Sequence, residues 1–173
     1  MKYVLAFGLT LLAALLQVTL APLYPLAGAV PDFALGALLV LVFAAGPVAA
    51  MAGLPLLALF LGFATDQSPG LVLVSYLPLL PVFLVLEWSP VPLNRMARFG
   101  IAALATGLWA RALASAWAFF GGADPDFLTL TFDVLLPGLI FDAVLFVLIY
   151  LPFRLSGRTE RSMRLRETGW EFA

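Results

Sequence analysis

Phe33–Thr65 reads FALGALLVLVFAAGPVAAMAGLPLLALFLGFAT and carries no charge. A membrane span needs about 20 apolar residues. This run is too long for one comfortable span and too short for two full ones. Gly46-Pro47 interrupts it near the middle, where proline cannot continue a helical hydrogen-bond ladder. The stretch therefore predicts two short helices, 33–45 and 47–65, in a tight hairpin. At 1.5 Å per residue they cover roughly 20–28 Å each. Helices this short must tilt little, thin the bilayer, or lie shielded by other helices.

The residues on either side of the run sharpen this. Pro31-Asp32-Phe33 opens it. Proline fits the turn before a helix, and aspartate fits an N-cap or first turn, where it meets the positive end of the dipole. At the other end, Leu61–Gly70 reads LGFATDQSPG. Asp66 there is costly unless it sits at the water interface or has a partner inside a bundle. Ala50, Leu54, Ala58, Gly62 and Asp66 recur every four residues and share one helix face. Small residues on such a face let helices approach closely in lipid.

Four more apolar runs complete the chain. Tyr3–Leu20 predicts an uncleaved first helix, because the run is longer than a signal peptide's and ends against Pro22 and Pro25. Gln17 near its end is placed either to hydrogen-bond across helices or to sit at the interface. Ala21–Asp32 is a connector. Leu71–Leu86 contains Pro78 and Pro81, which predict a kink and neighbours that satisfy the freed carbonyls. Glu87–Arg98 reads as a polar loop, Phe99–Phe120 as the fifth span and Gly121–Phe127 as an acidic turn. Leu128–Leu151 is the sixth span, with a kink expected at Pro137-Gly138 and an end at Pro152. The expected organisation is a membrane domain over 1–152 and a basic tail over 153–173. The fold class is an all-α integral membrane protein, a six-helix transmembrane bundle.

Composition agrees. The chain is 64% hydrophobic and only 11% charged, with neither Cys nor His, against about a quarter charged in a soluble domain. Without these two residues there is no disulfide, thiolate, imidazole base or histidine-ligated metal. With six spans, Lys2, Arg95, Arg98 and the five tail arginines fall on one side, and Asp32, Asp66, Asp124 and Asp126 on the other. That distribution predicts both termini in the cytoplasm, with the tail facing lipid headgroups.

Inside the spans, Arg111 lies on a face with Ala103, Gly107 and Ser115, roughly 13 Å from its helix end. Asp133 and Asp142 on the sixth span bracket it in depth, and an ion pair with either fits. Two readings stay open. One is a buried functional site of Asp66, Arg111 and Asp142. The other is a structural ion pair that fixes helix packing.

The order of these features resembles the MreD family, the integral membrane subunit of the bacterial rod-shape (elongasome) machinery. The residues that carry it are Pro31-Asp32-Phe33, the Gly46-Pro47 hairpin, the Gly62…Asp66…Gly70 segment, and Asp142 at a position where the family usually has Asn. The segment after Asp66 is more polar than is usual in the family. The resemblance covers the whole chain. It implies a non-enzymatic subunit without cofactors in the cell inner membrane. Its partners would be MreC, bound through that protein's transmembrane helix, with RodA, a class B penicillin-binding protein and MreB acting alongside; no nucleic acid is expected. The rival is the substrate-binding S component of energy-coupling-factor vitamin transporters, which six short spans also resemble and whose architecture the two families would share. Ion or lipid transport is a third class.

Overall fold

Gly46 alone separates α2 (Phe33–Ala45) from α3 (Pro47–Thr65), as the Gly-Pro break predicts. Its φ of 89° lies in the left-handed region, which glycine enters without a side-chain clash. Pro47 takes the first helical position, where its missing N–H costs nothing. The chain is seen here as a computed structural model that describes residues 2–23, 25, 29–91, 93–121 and 130–155. The other helices are α1 (Lys2–Thr19), α4 (Pro69–Tyr76), α5 (Leu79–Trp88), α6 (Arg95–Phe120) and α7 (Leu136–Leu155). A 3₁₀ turn, Ala21–Leu23, follows α1, and a π-helical turn, Leu130–Leu135, leads into α7.

The described residues form a helical bundle. Tyr3–Leu23, Pro47–Thr65, Pro69–Trp88, Met96–Phe120 and Leu136–Leu155 are long and apolar enough to cross a membrane. This is a multi-pass membrane protein. The 13-residue α2 is shorter, and burial explains how it can be. It packs against α1, α3, α6 and α7, and Leu35, Leu38, Leu39, Leu41, Val42 and Phe43 are all inaccessible. A helix surrounded by protein need not match the hydrocarbon thickness.

The predicted stripe on α3 is buried from Ala50 through Gly62, while Asp66 is exposed. On the neighbouring α1, Ala6, Thr10 and Ala13 face inward. Near them, a Cβ at Gly53 would stand 2.6 Å from Leu41 Cδ1 and 3.5 Å from Thr10 Cγ2. At the α2–α3 turn end of the bundle, aromatic rings fill the core. Phe43 lies edge-on to Phe99 at 4.9 Å, and Phe99 stacks on Phe83 at 4.0 Å. Tyr150 joins them from α7, 5.8 Å from Phe43.

The expected kink in the fourth span is the break between α4 and α5 at Leu77-Pro78. Pro78 has no N–H to give the Val74 carbonyl. Trp109 Nε1–H of α6 donates to that carbonyl instead, at 3.0 Å. A carbonyl freed by proline is thus satisfied by a neighbouring helix. Trp109→Phe keeps the ring but loses the donor. It is expected to destabilise the bundle by about 1–3 kcal/mol, read as a lower unfolding temperature in mild detergent.

Two expected boundaries are corrected. The 87–98 loop shrinks to 89–94, because α5 continues through Trp88 and α6 starts at Arg95. Asn94 is the N-cap that the sequence reading passed over: its Oδ1 accepts the Ala97 N–H at 2.7 Å. Arg98 then donates to the Glu87 and Val91 carbonyls, at 3.2 and 3.5 Å. In the last span the irregularity falls at the π turn before Pro137, and α7 passes through Pro152 to Leu155. A proline in the last turn removes only one late ladder bond. Helix order puts Arg95, Arg98 and Arg154 at the end that holds the α2–α3 turn, and Asp32 and Asp66 at the other. Asp124, Asp126 and the tail from Ser156 lie outside the described residues.

Candidate functional site

A buried polar centre lies between the helices, and it begins at the start of α2. Asp32 caps that helix, its Oδ1 accepting the Leu35 N–H at 2.8 Å. Gln17 of α1 crosses to the same turn. Its Oε1 accepts the Phe33 N–H at 2.8 Å, and its Nε2 donates to the Pro31 carbonyl at 3.2 Å. Two of the first N–H groups of α2, which have no partner within the helix, are thereby satisfied. Of the two readings of Gln17, the cross-helix one is correct.

Tyr76 of α4 donates its hydroxyl to the Asp32 carboxylate, 3.1 Å from Oδ1 and 3.0 Å from Oδ2. Asp32 is therefore buried and shared by two helices, more than the capping residue its sequence context suggests. Tyr76 was not foreseen. Its one signal is chemical: a tyrosine inside an apolar span needs a partner for its hydroxyl.

Arg111 of α6 pairs with Asp142 of α7. Nη2 lies 3.0 Å from Oδ1, and Nη1 closes the second arm of the fork on Oδ2. The Asp142 side chain is fully buried and that of Arg111 is 13% exposed. Such bidentate charged pairs are among the stronger hydrogen-bonded contacts. The pairing with Asp142 that the sequence allows is formed, and it takes both Nη arms. The Asp133 side chain lies outside the described residues.

Glycines make room for the pair. Gly107 lies one turn before Arg111, and Gly138 one turn before Asp142. A Cβ at Gly107 would overlap Asp142 Oδ2 and stand 3.0 Å from Arg111 Nη1. A Cβ at Gly138 would stand 2.6 Å from Arg111 Cζ. The repeated spacing, Gly-x-x-x-Arg and Gly-x-x-x-Asp, was visible in the sequence as a small-residue stripe on α6 only.

Asp66 stands apart from this centre. It is exposed, with φ 55° and ψ 30°. Its own N–H and that of Gln67 both reach the Gly62 carbonyl, the latter at 3.0 Å. This is a left-handed helix end. Gly62 lets α4 close over the turn, since a Cβ there would meet Pro69 Cα at 3.0 Å. Gly70 is the second residue of α4, and a Cβ there would make only an ordinary 3.6 Å contact with Ser68 Oγ. Of the settings open to Asp66, the exposed helix end is the one it occupies: Asp66 is a corner and takes no part in the Arg111–Asp142 pair. Asp66→Gly is expected to hold or raise stability by about 1 kcal/mol, because glycine has no Cβ to strain in this conformation. Thermal unfolding checks it.

A cleft of about 290 Å³ borders the centre, lined among others by Gln17, Asp32, Thr65, Ser75, Tyr76 and Arg111. The polar contacts join α1 to α2, α2 to α4 and α6 to α7. Chemically, the centre fixes helix positions and offers hydrogen-bonding groups to the cleft. Among the described residues, no three Cys, His, Asp or Glu side chains come together as a metal site would need. Comparison with protein-family models, with curated proteins and with solved structures gives no match for this chain.

Proposed function

We propose that this chain is a non-enzymatic, multi-pass scaffold of the MreD type, seated in the cell inner membrane with both termini cytoplasmic. It would bind MreC through that protein's transmembrane helix and act with RodA, a class B penicillin-binding protein and MreB in lateral peptidoglycan synthesis. The observation that carries the proposal is how the buried polar groups are used. Gln17, Asp32, Tyr76, Arg111 and Asp142 all bond across helices, as suits a rigid platform for partner helices. The motif-bearing residues around Asp32, Gly46 and Gly62 support it, since they cap, turn and close consecutive helices. The basic residues at one end agree with cytoplasmic termini.

Affinity purification in mild detergent, followed by mass spectrometry, tests the proposal. Recovery of MreC is the expected result. Recovery of an ATPase module with a bound vitamin, and no MreC, would overturn it in favour of a transporter S component.

A further inference from the structure

The cleft beside the polar centre has a definite chemical character. Its volume of about 290 Å³ corresponds to about ten water volumes. Five stretches wall it: Gln17 at the end of α1, Asp32 before α2, Thr65 at the end of α3 with Gln67 just beyond it, Ser75 and Tyr76 on α4, and Arg111 on α6. Apart from the Gln17 and Gln67 amides and the Arg111 guanidinium, the polar side chains on this wall present acceptors. The Thr65 and Ser75 hydroxyl protons are already directed at the Leu61 and Leu71 carbonyls, at 2.7 and 2.9 Å. The Tyr76 proton is directed at Asp32. Each of these oxygens keeps lone pairs and has no proton left to give.

Charge points the same way. Arg111 is the one cation on the cleft wall among the described residues, and both its Nη arms are held by Asp142. Its charge is matched within its own pair. Among the described residues, the Asp32 carboxylate receives only the neutral Leu35 N–H and Tyr76 O–H, and a carboxylate has about four lone-pair sites. A buried carboxylate without a counter-ion is costly, and acceptor-only hydroxyls beside it favour a ligand rich in donors.

We propose that this cleft binds a small molecule bearing a protonated amino group. Asp32 is its counter-ion, the Tyr76, Thr65 and Ser75 oxygens accept its N–H bonds, and the Arg111–Asp142 pair forms a charge-balanced wall. The proposal does not depend on the scaffold reading. Two sources carry this chemistry, a soluble amine and the ethanolamine headgroup of a lipid.

The test uses the full chain in phosphatidylglycerol nanodiscs. Ethanolamine is titrated by saturation-transfer NMR, with glycolate and ethylene glycol as anionic and neutral probes of similar size. A second preparation contains phosphatidylethanolamine, and native mass spectrometry measures the lipid retained. Saturable ethanolamine binding that Asp32→Asn weakens by at least about tenfold, with no saturation by glycolate or ethylene glycol, supports a soluble amine. Enrichment of phosphatidylethanolamine on the wild type, lost in Asp32→Asn, supports the headgroup. Should Asp32→Asn fail to fold, Thr65→Val/Ser75→Ala decides, because those hydroxyls bond only within their own helices; the same weakening is expected. The assignment is overturned by glycolate binding in place of ethanolamine, by unchanged affinity in a folded variant, or by neither saturable amine nor enriched lipid.

Discussion

Arg111→Ala is expected to destabilise the bundle by about 3–5 kcal/mol, the range for removing one partner of a buried ion pair. The loss has two parts. The fork that joins α6 to α7 disappears, and the Asp142 carboxylate, fully buried, is left as an uncompensated charge. The second part dominates, because a lone carboxylate inside a membrane bundle has neither water nor a partner. Asp142→Asn alone should cost less. The amide is neutral and keeps an acceptor for one guanidinium arm, and Arg111 retains some access to the cleft. Unfolding temperature and the monodisperse fraction after mild heating in detergent read both effects.

The next largest effect is expected at Gly138. Gly138→Ala places a methyl 2.6 Å from Arg111 Cζ and closer still to Nε. Neither the guanidinium, fixed by Asp142, nor the α7 backbone can yield cheaply. Overpacking of this kind costs about 1–3 kcal/mol and sometimes more. Gly107→Ala meets Asp142 Oδ2 in the same way from the other helix. Both substitutions should lower the unfolding temperature. A control at Gly8, where a Cβ would meet nothing within 4 Å, should leave it unchanged or slightly raised, since alanine is the better helix former.

Much of the bundle was legible in the sequence because lipid imposes strong rules. The α2–α3 hairpin follows from one uncharged run and one Gly-Pro pair. The break at Pro78 follows from the missing N–H, and even the need for an outside donor could be foreseen, although not that Trp109 would supply it. Less was legible where several answers satisfy the same rule. Asn94 and Arg95 sit between prolines and charges, so a helix start looks like loop. Pro152 normally ends a helix, yet late in α7 it removes too little to do so. The polar centre was half readable. Arg111 and Asp142 announce themselves as charges in an apolar setting, whereas Asp32 looks like a cap and Tyr76 like a core ring. Their contact spans 44 residues of chain, and periodicity carries no information at that range.

The claim at the centre of this account is that Arg111 and Asp142 act as one unit holding α6 against α7. A double-mutant cycle measures that directly, with unfolding of the wild type, Arg111→Ala, Asp142→Asn and the double variant compared in one detergent. The account predicts that Arg111→Ala/Asp142→Asn is more stable than Arg111→Ala alone, because removing the second charge relieves the carboxylate stranded by the first. A double variant no more stable than Arg111→Ala, with the two losses simply adding, would contradict it.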